Sequence, residues 1–214
     1  MTGMKDGIKA IETWHNGRLY RSRLEARWAV FLEVLREPFE YETEGFELQP
    51  VPQKDEDILT DPSCLWIDQP LFYVPDFWLP KANQWVEIKP SNGKWGYDDL
   101  ALEKVRRIEY QTGYQAVVLC GTPGLSNGDI WDPYQGYVSG DCAYIWCECF
   151  WCGAIGLQYE GRTDRMACKE STDGRKTGCK RSPHGDKGRN AVTPRLLQAF
   201  HIASTHRFDW KSKP

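Results

Sequence analysis

No apolar run in the chain approaches the ~20 residues that a membrane span needs, which excludes a helical transmembrane anchor. The first ten residues, Met1 to Ala10, are polar, so they lack the apolar stretch of a secretory signal, and the cytoplasm is the expected compartment. Histidine is scarce, at four residues, and His15, His201 and His206 stand beside no Ser, Cys or carboxylate pattern. They are read as surface or packing residues. A glycine-rich phosphate loop, an internal repeat and a low-complexity tract are likewise missing. Net charge is also small, −3 over 214 residues, and by itself points to no polyanionic partner.

What is present is unevenly spread. Residues 1–140 hold 14 Lys and Arg against 22 Asp and Glu, whereas residues 141–214 hold 13 against 8. A basic C-terminal portion suits phosphate contact or simple solubility. Six of the eight cysteines fall between Cys142 and Cys179. Without a secretory signal, such clustering favours a metal over disulfides. Cys149-x2-Cys152-Gly153 has the form of a zinc-knuckle turn. Cys168 and Cys179 are the best completing pair, although their separation exceeds the usual spacing of about two to four residues. Cys147, Cys142 and His184 are the reserve ligands. Such a zinc would be structural, replacing the core that a thin β-rich unit lacks. Cys64 and Cys120 are isolated and read as buried small hydrophobes. Trp151, at the knuckle tip, is the one tryptophan considered for stacking on a base.

The element order follows from periodicity. Asn16-Gly17 between short alternating flanks predicts a hairpin. Leu24, Trp28, Phe31, Leu32 and Leu35 recur at helical spacing after Ser22, and Pro38 stops the helix. Phe39 to Glu44 alternates as a half-exposed strand, and Phe46 to Leu48 is expected to continue its pairing. Pro50 to Pro70 reads as an inserted loop, tacked down by Trp66 and Ile67. Tyr73 to Leu79 and Trp85 to Lys89 predict two strands joined by a polar turn. A helix follows from Asp98 or Asp99 to about Thr112, and then a buried strand, Tyr114 to Cys120. Residues 121–140 read as a connection to a second unit of strands that ends in a helix capped by Thr193-Pro194. On that helix Leu196, Leu197, Phe200 and Ala203 share a face. The expected fold is α/β, a mixed central sheet flanked by helices, with domains at 1–125 and 141–214.

The chemistry centres on two neighbouring strands. Alternation puts Trp85, Glu87 and Lys89 on one face and Val86 and Ile88 on the other. A carboxylate and an ammonium on an otherwise apolar strand are costly to bury without a purpose. Asp76, at the start of the preceding strand, converges on Glu87 if the two strands pair. Two carboxylates and a lysine are equipment for holding a hard divalent cation and activating water on it.

Pro75-Asp76, ten intervening residues, and Glu87-Ile88-Lys89, downstream of the helix that carries Ser22-Arg-Leu-Glu25, resemble the PD-(D/E)XK nuclease superfamily. The chain is similar there to endonuclease subunits of some cut-and-paste transposases and to small phage-encoded nucleases, over roughly residues 18 to 120. The resemblance implies a restriction-endonuclease-like core and a metal-dependent DNA endonuclease using Mg²⁺ or Mn²⁺. It implies Asp76, Glu87 and the Ile88 carbonyl as metal ligands, Lys89 acting on the attacking water or the transition state, and Glu25 as a further acidic residue. Glu25 has a second reading, since Ser22-x-x-Glu25 is also a capping box. A non-catalytic DNA- or protein-binding module on the same scaffold, and a nuclease acting on RNA, are the rival functions. A partner protein or a second copy of the chain is compatible with either.

Overall fold

The computed structural model describes residues 10–51, 69–90, 99–124, 136–138, 141–148, 153–159 and 193–209. The predicted hairpin forms from β1 (Thr13–His15) and β2 (Arg18–Tyr20). Asn16 and Gly17 both take positive φ, 49° and 77°, as a tight turn matched to strand twist requires. Helix α1 (Arg23–Val34) begins at Ser22, whose Oγ accepts the Glu25 N–H at 3.1 Å. The other half of the expected capping box is rearranged. The Glu25 carboxylate accepts from the Ser22 hydroxyl at 2.7 Å instead of from its amide.

Seven strands make the main sheet, in the order β11-β10-β9-β8-β7-β6-β3. They are β3 (Glu40–Tyr41), β6 (Phe77–Leu79), β7 (Gln84–Lys89), β8 (Gln115–Cys120), β9 (Gly136–Val138), β10 (Asp141–Glu148) and β11 (Ile155–Tyr159). β7 and β8 are parallel and are joined by helix α2 (Asp99–Thr112); the other neighbours are antiparallel. The sheet is therefore mixed, as expected, and no helix among the described residues is long and apolar enough to cross a membrane.

Two packed layers follow from strand alternation. Val86, Ile88, Val117 and Leu119 face α1 and the third helix, α3 (Pro194–Thr205). Trp85, Ala116 and Val118 face α2, through Ala101, Val105 and Ile108. Arg107 of α2 is 1% exposed and pairs with Glu103 at 2.6 Å. It also donates to the carbonyls of Leu48 and Gln69, so the pair is satisfied on both sides.

Phe46–Leu48 does not extend the pairing of the preceding strand. As β4 it pairs with β5 (Leu71–Tyr73) in a separate two-stranded ribbon on the α2 side. The predicted strand from Phe39 to Glu44 shortens to Glu40–Tyr41, because Glu42 adopts a positive φ of 47° and turns the chain away. The stretch at 52–68, with Cys64, Trp66 and Ile67, lies outside the described residues.

The expected division into 1–125 and 141–214 meets a sheet and a core that run across it. β9 pairs with β8, and Trp146, Ile155, Leu157, Leu196, Ala199 and Phe200 share one cluster with Trp28 and Phe31 of α1. Phe31 and Phe200 stack at 4.7 Å between ring centroids. Arg27 of α1 donates to the terminal carbonyls of α3, Ala203 at 2.8 Å and Ser204 at 2.5 Å. On α3, Leu197 is exposed and Ala199 takes its expected place in the core.

Candidate functional site

The β6–β7 hairpin sets the site. Phe77 lies opposite Val86, so extending that register by one residue places Asp76 opposite Glu87. Both carboxylates are buried, Asp76 3% and Glu87 4% exposed. Together with Ile88, Lys89 and Glu25 they line one cleft of about 480 Å³, whose wall also holds Arg21, Phe72, Tyr73, Val74 and Lys104. All five residues predicted for the catalytic site therefore border one space. It opens at the C-terminal end of β7, where its parallel neighbour β8 also ends. The Gly121 N–H closes onto the Lys89 carbonyl there at 2.8 Å, and the Trp28 indole of α1 donates to the Gly121 carbonyl at 2.9 Å. Gly121 has φ 79°, a conformation that costs glycine little.

Each carboxylate is already engaged. Asp76 Oδ2 accepts the Ile88 N–H at 2.6 Å, and its Oδ1 accepts the Arg21 guanidinium at 2.5 Å. Glu87 accepts the Tyr73 hydroxyl at 2.9 Å and pairs with the Lys89 ammonium. Glu25 accepts the Tyr41 hydroxyl at 2.5 Å as well as that of Ser22. Arg21 also pairs with Glu42, and its backbone N–H donates to Tyr41 Oη at 3.0 Å. Among the described residues, no three His, Cys, Asp or Glu side chains stand grouped so as to hold a metal ion. Arg21 and Lys89 instead fill the space beside the carboxylates.

The electrostatics record a site overloaded with negative charge. Burial, then the charges of Glu87 and Glu25, push the Asp76 carboxyl up to about 8, against the opposing pull of the Ile88 amide and Arg21. Burial and the neighbouring Glu87 charge hold the Tyr73 phenol well above its ordinary value, so it remains a donor. Burial works against the Arg21 charge, but Asp76, Tyr41, Glu42 and Glu25 outweigh it and keep the guanidinium firmly protonated.

Tyr41, Glu42, Tyr73 and Lys104 carry no spacing signal, and their place at the site depends on the β3 end, the β4–β5 ribbon and α2 folding over it. Tyr73 is the nearest to legible, being a hydroxyl-bearing residue on an apolar strand three positions before Asp76. The zinc-ligand candidates Cys149, Cys152, Cys168, Cys179 and His184, and Trp151, lie outside the described residues, as does the Cys142 side chain. Cys147 is fully buried, and its thiol donates to the Gly156 carbonyl at 3.5 Å across the β10–β11 pair. His15 does have a carboxylate, contrary to expectation: its Nε2 lies 2.8 Å from Glu33.

The chain matches no protein-family model, no curated protein and no solved structure.

Proposed function

We propose that this cleft hydrolyses phosphodiester bonds in DNA with a divalent cation, Mg²⁺ or Mn²⁺, held by Asp76 and Glu87. The observation that carries the reading is the opposition of these two buried carboxylates across the hairpin, with Lys89 next to Glu87 in the same cleft. The donor set fits. Mg²⁺ takes only one or two protein carboxylates and retains waters, so two hard oxygen donors suffice. The Ile88 carbonyl is a further ligand implied by the resemblance to PD-(D/E)XK nucleases. When bound, the cation supplies charge neutralisation at phosphate and makes water more acidic. The chain supplies the rest. Tyr73 fixes the Glu87 carboxylate, the Ile88 amide fixes Asp76, and the partly exposed Lys89 ammonium reaches the cleft to orient water and stabilise developing negative charge.

A non-catalytic scaffold has one observation in its favour, the internal neutralisation of Asp76 by Arg21 and of Glu87 by Lys89. One assay separates the readings. Plasmid, linear DNA and RNA are incubated with Mg²⁺, Mn²⁺ or EDTA. DNA cleavage is expected only with metal, and Asp76→Ala, Glu87→Ala and Lys89→Ala should each lower it on the order of 10²-fold or more while circular dichroism stays native. Cleavage in EDTA, or by Asp76→Ala at the wild-type rate, overturns the proposal. Cleavage of RNA alone replaces the substrate.

A further inference from the structure

Arg107 and Arg21 show two ways in which this protein uses an arginine against an acid. Arg107 is 1% exposed and holds Glu103 together with two carbonyls, a fixed structural joint. Arg21 has a side chain that is 54% exposed, yet it closes on an Asp76 carboxylate that is 4% exposed. Of the two Asp76 oxygens, Oδ2 is committed to the Ile88 amide inside the sheet, so Oδ1 is the one left for the cleft, and Arg21 occupies it at 2.5 Å. The same guanidinium touches Glu42 and comes within 4.0 Å of Glu25. If it leaves Asp76 it keeps a partner, and no buried charge is stranded on its side. The root of the side chain is tethered by the bond from its amide to Tyr41, so only the exposed arm has to swing.

We propose that Arg21 is a resident stand-in for the divalent cation: it holds Asp76 Oδ1 while the metal is absent and moves onto Glu42 and Glu25 when the metal binds. Metal affinity is then set by an exchange of cations. The inference rests on Asp76 being a metal ligand, as proposed above. Because the two events share one oxygen, the coupling is reciprocal: whatever the Arg21–Asp76 contact contributes to the metal-free protein is subtracted from metal binding.

The test needs no substrate. Mn²⁺ binding is titrated by calorimetry or by electron paramagnetic resonance in the full chain, as wild type, R21Q and R21K, with D76N as the control that removes the shared oxygen's charge. R21Q is expected to bind Mn²⁺ on the order of 5- to 100-fold more tightly than wild type, with R21K between them, and D76N to weaken binding in both backgrounds. Thermal unfolding supplies a second readout. R21Q should melt below wild type without metal, and the gap should narrow at saturating Mn²⁺. Wild type that binds Mn²⁺ while R21Q binds equally or less tightly overturns the exchange and leaves the nuclease reading standing. Failure of wild type and R21Q alike to bind Mn²⁺ overturns both. Binding by R21Q alone supports the exchange in its strongest form.

Discussion

Glu25 shows how one side chain can serve both the fold and the chemistry. Its carboxylate accepts two hydroxyl protons, from Ser22 and Tyr41, and its charge adds to the burden on Asp76. The sequence made both readings visible, the capping spacing and the acidic residue on the first helix of the resembled family. It hid Tyr41, which approaches from another strand. Glutamine keeps one acceptor oxygen where glutamate has two, so Glu25→Gln should cost about 1 kcal/mol of stability through the weakened hydroxyl contacts. If Glu25 also helps hold the cation, cleavage should fall by more than this destabilisation explains, and the deficit should shrink as metal is raised. Ser22→Ala should lose about 1 kcal/mol with little change in cleavage. Melting curves and a metal titration of the rate check both, and unchanged cleavage by Glu25→Gln at every metal concentration removes Glu25 from the site.

At the scale of elements, periodicity located α1, α2 and α3, each with one apolar face, and β7 and β8, whose two faces are both covered, whereas the expected strand Tyr73 to Leu79 divides between the end of β5 and β6. The alternation of Trp85 to Lys89 was legible because β7 is central and both of its faces are specified by different layers. Pairing was less legible. Phe46–Leu48 has the same pattern whether it joins the main sheet or the β5 ribbon, and the deciding turn at Glu42 is a backbone conformation with no residue signature. The same applies to the joint between the β1–β2 hairpin and the end of α3. His206 there packs edge-on against His15 at 5.1 Å and beside Phe208 at 4.6 Å. Burial, then His15 and Arg27, lower the His206 pKa against the weaker opposing effect of Glu33. In this window the unfolded chain binds the proton more readily than the folded one, so stability is full above the unfolded value of about 6.5 and declines as pH falls below it. His206→Gln should therefore lose less stability than wild type between pH 7.5 and 5.5. Parallel losses in denaturant titrations at the two pH values would dismiss His206 as the cause.

For the whole molecule, the composition shift and the cysteine cluster were real features of the sequence, but they did not reveal that α3 returns to α1. That contact rests on Phe31 with Phe200 and on Arg27 with the α3 carbonyls, more than 165 residues apart in each case, and no local pattern encodes such a pairing. A chain ending at residue 124 would leave β8 without its outer neighbour and Trp28 and Phe31 without their cover. Residues 1–124 alone should therefore be recovered poorly or self-associated, and co-expression with residues 125–214 should restore a monodisperse complex. A monomeric 1–124 with the melting temperature of the full chain would show that the shared core contributes nothing. The same wrap fixes an order of events at the ribosome. The hairpin that sets Asp76, Glu87 and Lys89 emerges early, yet α3, which covers the α1 side of their sheet, begins only at Pro194. At synthesis rates of about 5–20 residues per second, the residues from the end of β8 to the end of α3 take on the order of 4–20 s to appear. Throughout that interval the face of α1 that α3 later covers is expected to stand open to water and to neighbouring chains.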